Sequence, residues 1–380
     1  MRALVSHSRL ERRTAPRLEP IALALLAVLG CASEDPARPG PTSEALGTPL
    51  TAANAVDVAS PLYWSSSTGE LICAESFLSA SGGLMAVHAT TMATRVLDAR
   101  TSIAVDVAPD GSAVYYNAFG GAGPDYALAR RLPLAGSFAP AVLDSCSLLC
   151  VYFMVAAPDG DHVAVTDVTD SLRIHVLSTG EKTGVGVGIP LAFSPASDRI
   201  LVNEPFAPLD QAAIVTVATG SAQPAGLGVP YPIAGSKVRW GPSGIEVLYL
   251  AADEKRFFLH RAATGTTTLI WASPDTLSGS IAWSPSGSQA AIWSSRQAGT
   301  AAAPARRWEL HVIDLLGRIV RTVAYAEVPT GSTPVSRSAA RLPAIGAVFF
   351  PGAAGGLVFS ADEAKLAYTF FDGRVYRSGL

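Results

Sequence analysis

The chain has 380 residues, of which 49% are hydrophobic and only 16% charged, a balance that supports a large core and excludes a disordered chain. Formal net charge is −3, and no Lys/Arg cluster marks a nucleic-acid surface, so nucleic acid is not expected as a partner. Thirty-four Gly and 27 Pro are spread along the chain, with aromatic and β-branched residues in short runs between them, which is the composition of many short strands joined by turns.

Residues 1–20 carry Arg2, Arg9, Arg12, Arg13 and Arg17, followed by nine apolar residues, Ile21–Leu29, and then Gly30 and Cys31. A basic region, a short apolar region and a small residue form a secretory signal. Nine residues rising 1.5 Å each fall well short of a ~30 Å hydrocarbon core, so export is preferred to a transmembrane anchor. Cleavage between Gly30 and Cys31 leaves 23 basic and 29 acidic residues. The join Val28-Leu29-Gly30-Cys31 resembles the lipobox of bacterial lipoproteins. That resemblance implies lipidation at Cys31 and a membrane anchor, the plainer alternative being an ordinary signal ending beside a chance Cys. Residue 32 is Ala rather than Asp, which by the same resemblance favours the outer membrane. Residues 31–50 read as the lipidated Cys and a Pro/Ser/Thr-rich tether. Residues 51–380 are the folded domain.

One pattern recurs through that domain: an alternating apolar run, a Ser/Ala-Pro turn and a second alternating run. It reads VDVAPDGSAVYY from Val105, VAAPDGDHVAV from Val155, LAFSPASDRILV from Leu191, VRWGPSGIEVLY from Val238 and IAWSPSGSQAAIW from Ile281. Weaker copies are YWSSSTGELIC from Tyr63 and LVFSADEAKLAY from Leu357. Each copy is a hairpin: period-two alternation makes the strands, Pro sets φ early in the turn, and Gly tolerates positive φ. The turn residues are Pro109, Asp110 and Gly111; Pro158, Asp159 and Gly160; Pro195 with no following Gly; Pro242 and Gly244; Pro285 and Gly287. A spacing of roughly 40–50 residues fits one four-stranded propeller blade. The expected fold is an all-β propeller with seven blades favoured over six or eight. The long interval from Pro285 to Ala361 is assigned to loops at 296–306 and 328–343, or to a degenerate eighth blade. The last blade lacks an outer strand, which residues 52–58 are expected to supply, closing the ring. Trp64, Phe193, Trp240 and Trp283 share one repeat position and are expected to pack between blades, a carbohydrate-stacking row being the sharper alternative.

The repeat resembles the WD40-like PD40 repeats of TolB-type propellers, marked by a Ser-Pro-Asp-Gly turn. Only the copies at Pro109 and Pro158 carry Pro-Asp-Gly in full. The resemblance speaks for fold, since propellers host binding scaffolds and enzymes alike.

Catalytic and metal-binding strings are absent: no G-x-S-x-G, no H-E-x-x-H and no C-x-x-C occurs. No catalytic residue, metal or cofactor is therefore assigned. His88, His175, His260 and His311 fall in third strands, where a half-exposed ring is expected. Asp159, Asp161 and the run Asp167–Asp170 read as turn residues rather than a Ca²⁺ loop. Cys73, Cys146 and Cys150 enter an oxidising compartment if exported, and Cys146–Cys150 is a possible disulfide. In an extended strand that pair stands ~13 Å apart, so bonding requires a turn. The expected function is an envelope-anchored, monomeric scaffold for a protein partner. The alternative is a propeller enzyme or ligand-binding protein acting on envelope sugars or peptides.

Overall fold

The computed structural model describes residues 42–380 except 54, 56–61, 66–67, 75–82, 101, 109–110, 120–125, 135–138, 148–152, 167–170, 204–211, 225–237, 243–245, 252, 262, 331–355 and 373. The export signal, Gly30, Cys31 and residues 32–41 lie outside the described residues, as do Pro109, Asp110, Cys150, Gly244 and the Cys146–Cys150 pairing.

The described chain is all β. Two short strands come first, β1 (Thr42–Ala45) and β2 (Thr48–Pro49). Blade 1 follows as β3 (Tyr63–Ser65), β4 (Glu70–Ala74), β5 (Leu84–His88) and β6 (Thr94–Asp98). Blade 2 is β7 (Ser102–Val107), β8 (Ala113–Phe119), β9 (Tyr126–Pro133) and β10 (Ala141–Ser147). Blade 3 is β11 (Phe153–Ala156), β12 (His162–Thr166), β13 (Ser171–Val176) and β14 (Lys182–Val187). Blade 4 is β15 (Ile189–Phe193), β16 (Arg199–Asn203), β17 (Ala212–Thr216) and β18 (Ala222–Pro224). Blade 5 is β19 (Val238–Trp240), β20 (Glu246–Leu250), β21 (Arg256–Arg261) and β22 (Thr266–Ala272). Blade 6 is β23 (Thr276–Trp283), β24 (Gln289–Gly299), β25 (Pro304–Asp314) and β26 (Val320–Pro329). Blade 7 is β27 (Leu357–Phe359), β28 (Lys365–Phe370) and β29 (Arg374–Gly379).

Each blade is an antiparallel meander, and the seven first strands meet their neighbours in a ring that closes from β27 to β3. Seven blades and no eighth account for the repeat. Because a blade is apolar on both faces, its core lies between blades, and each of the seven interfaces carries its own apolar cluster. The interface of blades 6 and 7 shows the packing: Trp293 is fully buried, with ring centroids 5.5 Å from both Tyr368 and Phe370. The shared aromatic position behaves as expected. Trp64, Phe193, Trp240 and Trp283 each pack toward the preceding blade.

The repeat turns of blades 2, 3, 4, 6 and 7 share one geometry. The third turn residue donates its N–H to the carbonyl three positions back: Gly111 to Ala108, Gly160 to Ala157, Gly287 to Ser284. These glycines sit at φ of 69°, 73° and 76°. Where the sequence lacks Gly, Ser197 and Glu363 adopt the same left-handed conformation at 59° and 56°. That strain is offset by bonds to the preceding blade. Ser197 Oγ accepts the Asp159 N–H at 3.0 Å, while Glu363 accepts from the Ser286 N–H and, at 3.0 Å, from the Ser286 hydroxyl.

Blade 7 is closed by β2, with Thr48 opposite Arg377 and Pro49 opposite Tyr376. The closing strand is therefore 48–49, upstream of the expected 52–58. Of those seven residues, Ala52, Ala53 and Ala55 are described and lie outside any strand, and the rest lie outside the described residues. Leu50 sets this register: it is 3% exposed, it packs with Leu62, Leu71 and Met85, and its N–H donates to Val375 O at 2.7 Å. The chain reaches β2 past Gly47, where an added Cβ would lie 2.2 Å from the Arg377 carbonyl oxygen. Upstream, β1 pairs with β26 and makes blade 6 five-stranded.

The segment 296–306 also differs from the expected soft loop. Pairing of β24 with β25 continues from Gln289–Asp314 to Gly299–Pro304, well past Ser295, the last β24 residue paired with β23. About four residues of each strand overhang, ~13 Å at normal strand rise. Ion pairs line this tongue: Arg307 reaches Glu309 at 2.7 Å and Glu327 at 3.5 Å, and Arg296 reaches Glu309 at 3.5 Å. The Arg307 guanidinium also covers the Tyr325 ring at 4.2 Å. Cross-strand charge and cation–π pairs hold as strand what Gly, Ala and Pro leave without apolar alternation.

Candidate functional site

In a propeller the innermost strands surround the axis, so a half-exposed side chain there meets water in the channel. The residue three before the turn Pro, or before Ser66 and Ala361 that stand in its place in blades 1 and 7, falls at one repeat position in all seven blades. In blade order these residues are Tyr63, Asp106, Val155, Ala192, Arg239, Ala282 and Val358. All are half-buried except Ala282, which is buried. Three of the seven are polar, and their placement is not random around the ring. Blade 5 stands three steps from blade 1 in one direction and three from blade 2 in the other. Arg239 therefore faces Tyr63 and Asp106 across the axis.

The electrostatics agree with this placement. Asp106 accepts the Val107 N–H at 2.9 Å through Oδ1 and the Ala156 N–H of blade 3 at 2.8 Å through Oδ2. A register irregularity between Ala104 and Asp106 re-aims that stretch of β7. Burial nonetheless pushes the Asp106 carboxyl up to about 6, against the two N–H bonds and the Arg239 charge. Burial also holds the Tyr63 phenol well above its usual range, reinforced by the Asp106 charge and opposed by that of Arg239. One guanidinium thus acts on groups in two blades on the far side of the ring. Arg239 is flanked at the same level by Ala192 and Ala282. Its backbone is held as well, since the Trp283 indole N–H donates to Arg239 O at 3.1 Å.

The residues singled out from sequence divide clearly from this site. Gly111, Pro158, Asp159, Gly160, Pro195, Pro242, Pro285 and Gly287 belong to the repeat turns or lie beside them. Asp159 accepts the backbone N–H groups of Asp161 and His162 and pairs with the His162 ring at 2.7 Å. Asp161 accepts from the Ser178 N–H and hydroxyl. Both carboxylates are engaged in the turn, and no group of three or more His, Cys, Asp or Glu converges as metal ligands among the described residues. Asp167–Asp170 lie outside the described residues. Cys146 lies on β10 opposite Ala127, and Cys73 is buried on β4.

The third-strand histidines are more buried than expected: His175 and His260 are 4% exposed and His311 6%, with only His88 half-buried. Burial lowers all three buried rings, His175 to about 4. The sequence strings do not reveal a Ser–His pair, Ser294 and His311, which share a hydrogen bond of 2.8 Å at Nε2. Thr322 Oγ1 lies 3.2 Å from Nδ1, whereas the nearest carboxylate, Glu309, approaches Nε2 at 3.9 Å. With Ser294 only 1% exposed and no acid at Nδ1, the pair is part of the core of blade 6 rather than a nucleophile.

No protein-family model matches the chain, and no curated protein sequence matches it. Among solved structures it is similar to an oligogalacturonate lyase in complex with manganese, at 13% identity over 90% of this chain and 94% of that one, with a TM-score of 0.61. It is also similar to the β-propeller domain of Swd1 from Myceliophteria thermophila, at 13% identity over 85% of this chain and 97% of that one, with a TM-score of 0.54. TolB from Acinetobacter baumannii aligns at 12% identity over 77% of this chain, which spans 64% of the TolB chain, with a TM-score of 0.46. At these identities the first two likenesses bear on architecture alone, and they agree with the blade order: the chain folds as a seven-bladed β-propeller.

Proposed function

We propose that the chain is an exported envelope protein, lipidated at Cys31, whose propeller is a non-enzymatic binding scaffold for a protein partner. The observation that carries this reading is the axial level of Tyr63, Asp106 and Arg239, where polar groups from three blades of a rigid ring converge on one channel. A closed ring holds such groups at fixed spacing without their moving on binding, which suits recognition. Anchoring follows from the lipobox resemblance and the short interval between Cys31 and β1. The partner reading is tested in the source cell by photo-crosslinking from Ala192 and Val358, which stand at the channel level without belonging to the polar trio. A discrete protein adduct from these positions, and none from the outer-strand residue Val142, is expected. Uniform or absent adducts refute the reading. For the anchor, Cys31→Ser is expected to move the protein from the membrane to the soluble fraction, and unchanged fractionation refutes lipidation.

A second reading, an enzyme acting on an acidic polysaccharide, is favoured by the same trio: a carboxyl near 6, a phenol and a guanidinium are the equipment for proton transfer beside a carboxylate. Depolymerisation of polygalacturonate by the purified protein, lost in Asp106→Asn, would establish it over the scaffold reading.

A further inference from the structure

The turn from the third strand of a blade to its outer strand has one frame in blades 1, 3, 4, 5 and 6. Its last residue is left-handed in each: Met92, Gly180, Gly220, Gly265 and Arg318 lie at φ of 59°, 73°, 65°, 66° and 54°. Two positions before that residue, blades 1, 3, 4 and 5 carry Thr90, Ser178, Ala218 and Ala263. One position after it they carry Ala93, Glu181, Ser221 and Thr266. Blade 6 places Leu316 and Ile319 there, 95% and 66% exposed, the two most exposed large apolar side chains among the described residues. Val142 and Leu269 stand singly on outer strands of other blades, as apolar surface residues ordinarily do. Leu316 and Ile319 stand together on one tip.

The fold holds that tip in place. Leu315 packs on the apolar cluster between blades 5 and 6 and donates its N–H to Ser288 O at 3.0 Å. The Asp314 N–H donates to Ile319 O at 2.9 Å, and the Asp314 carboxylate turns back to accept the Gly317 N–H. An added Cβ on Gly317 would lie 3.4 Å from Ile319 Cδ1, so the Ile319 side chain covers the turn. Two exposed arginines flank the apolar pair, Arg318 in the turn and Arg321 on β26, and neither forms an ion pair among the described residues. Val320 packs on the same cluster as Leu315, so strand alternation puts Ile319 and Arg321 together on the other side.

We propose that the β25–β26 tip docks on an anionic phospholipid surface, with Leu316 and Ile319 entering the acyl boundary and Arg318 and Arg321 meeting the headgroup phosphates. A lipid surface takes both chemistries at once: apolar side chains leave water while the guanidinium groups stay at the charged interface. The inference rests on the anchoring reading above, which brings that surface within reach. Strand β1 begins at Thr42 opposite Glu327, eight residues along β26 from Ile319, or ~26 Å at normal strand rise. Eleven residue steps from Cys31 to Thr42 span up to ~36 Å when extended. A lipidated Cys31 and the tip can therefore meet one bilayer even with blade 6 upright on it.

The test uses the mature chain, residues 31–380, carrying Cys31→Ser so that no acyl chain contributes. Its flotation is measured with vesicles of equal parts phosphatidylglycerol and phosphatidylcholine. Binding is expected, and at least about tenfold weaker binding to pure phosphatidylcholine. Leu316→Ser combined with Ile319→Ser is expected to weaken binding at least about tenfold. Arg318→Gln and Arg321→Gln should each cost about fivefold, and Val142→Ser nothing. Urea midpoints check that each variant folds, and Leu316→Gln alone decides if the double variant does not. Absence of binding to the anionic vesicles overturns the proposal. So do equal binding by the folded tip variants and equal binding to neutral vesicles. A dimer that Leu316→Ser dissolves would assign the tip to a second copy and also overturns it. The two readings fail separately. The vesicle assay contains no lipidated protein, and fractionation of Cys31→Ser cells judges the anchor after a high-salt wash that screens the arginines.

Discussion

Gly241→Ala tests whether packing between blades positions the channel. Gly241 directly follows β19 and donates its N–H to Glu246 O at 2.7 Å. An added Cβ would lie 3.0 Å from both Cη2 and Cζ2 of Trp283 and 3.4 Å from Glu246 O. The indole cannot withdraw freely, because its N–H is bonded to Arg239 O and its ring packs among Leu248, Leu250 and Ile281. Overpacking of this kind costs about 1–3 kcal/mol. Replacing Gly also restricts the unfolded chain, which returns about 0.4–1 kcal/mol. Steric cost outweighs entropy, and a net loss of about 1–2 kcal/mol is expected. Urea unfolding followed by tryptophan fluorescence measures it. Repeating the substitution in a Trp283→Leu background removes the atoms in the way, so the cost should shrink by most of its value. A neutral or stabilising Gly241→Ala, or the same cost in both backgrounds, refutes the reasoning.

Three further outcomes follow from the same contacts. Deleting residues 42–50 removes β1, β2 and the buried Leu50, uncovering the edge of blade 7, and a lower unfolding midpoint is expected; an unchanged midpoint would show that closure contributes nothing. Glu363→Ala keeps a strained left-handed residue but loses its bonds to Ser286, so calorimetry should show a loss of about 1–2 kcal/mol, with Glu363→Gly losing less because Gly relieves the strain. The third outcome concerns pH. His175 is held neutral down to about 4, so its contribution is complete above the unfolded value near 6.5 and falls away as pH drops toward 4, by up to about 3 kcal/mol. Asp106 has the opposite sign: with its folded value near 6 and its unfolded value near 4, it costs stability as pH rises through that window. His175→Gln should therefore flatten acid destabilisation between about pH 4 and 6.5, and Asp106→Asn should steepen it. Parallel pH–stability curves for the two variants would contradict both assignments.

The sequence by itself determined the repeat and, through it, the fold. Alternating runs around a Pro-x-Gly turn define a hairpin locally, and a hairpin apolar on both faces has to stack on copies of itself. The recurrence of Trp64, Phe193, Trp240 and Trp283 at one position likewise announced packing between blades before any contact was known. Tertiary structure decided what depends on ring closure and on long-range pairing. A short strand such as Thr48–Pro49 has no periodicity to read, and its register comes from the burial of Leu50 between blades 7 and 1. The tongue at 296–306 reads as loop because its cohesion lies in cross-strand charges rather than in apolar alternation. The axial trio was present in the repeat alignment as three polar residues at one position. Their meeting depends on the blade count: with seven blades, and only then, the residue of blade 5 stands opposite the gap between blades 1 and 2, which places Arg239 across the channel from Tyr63 and Asp106.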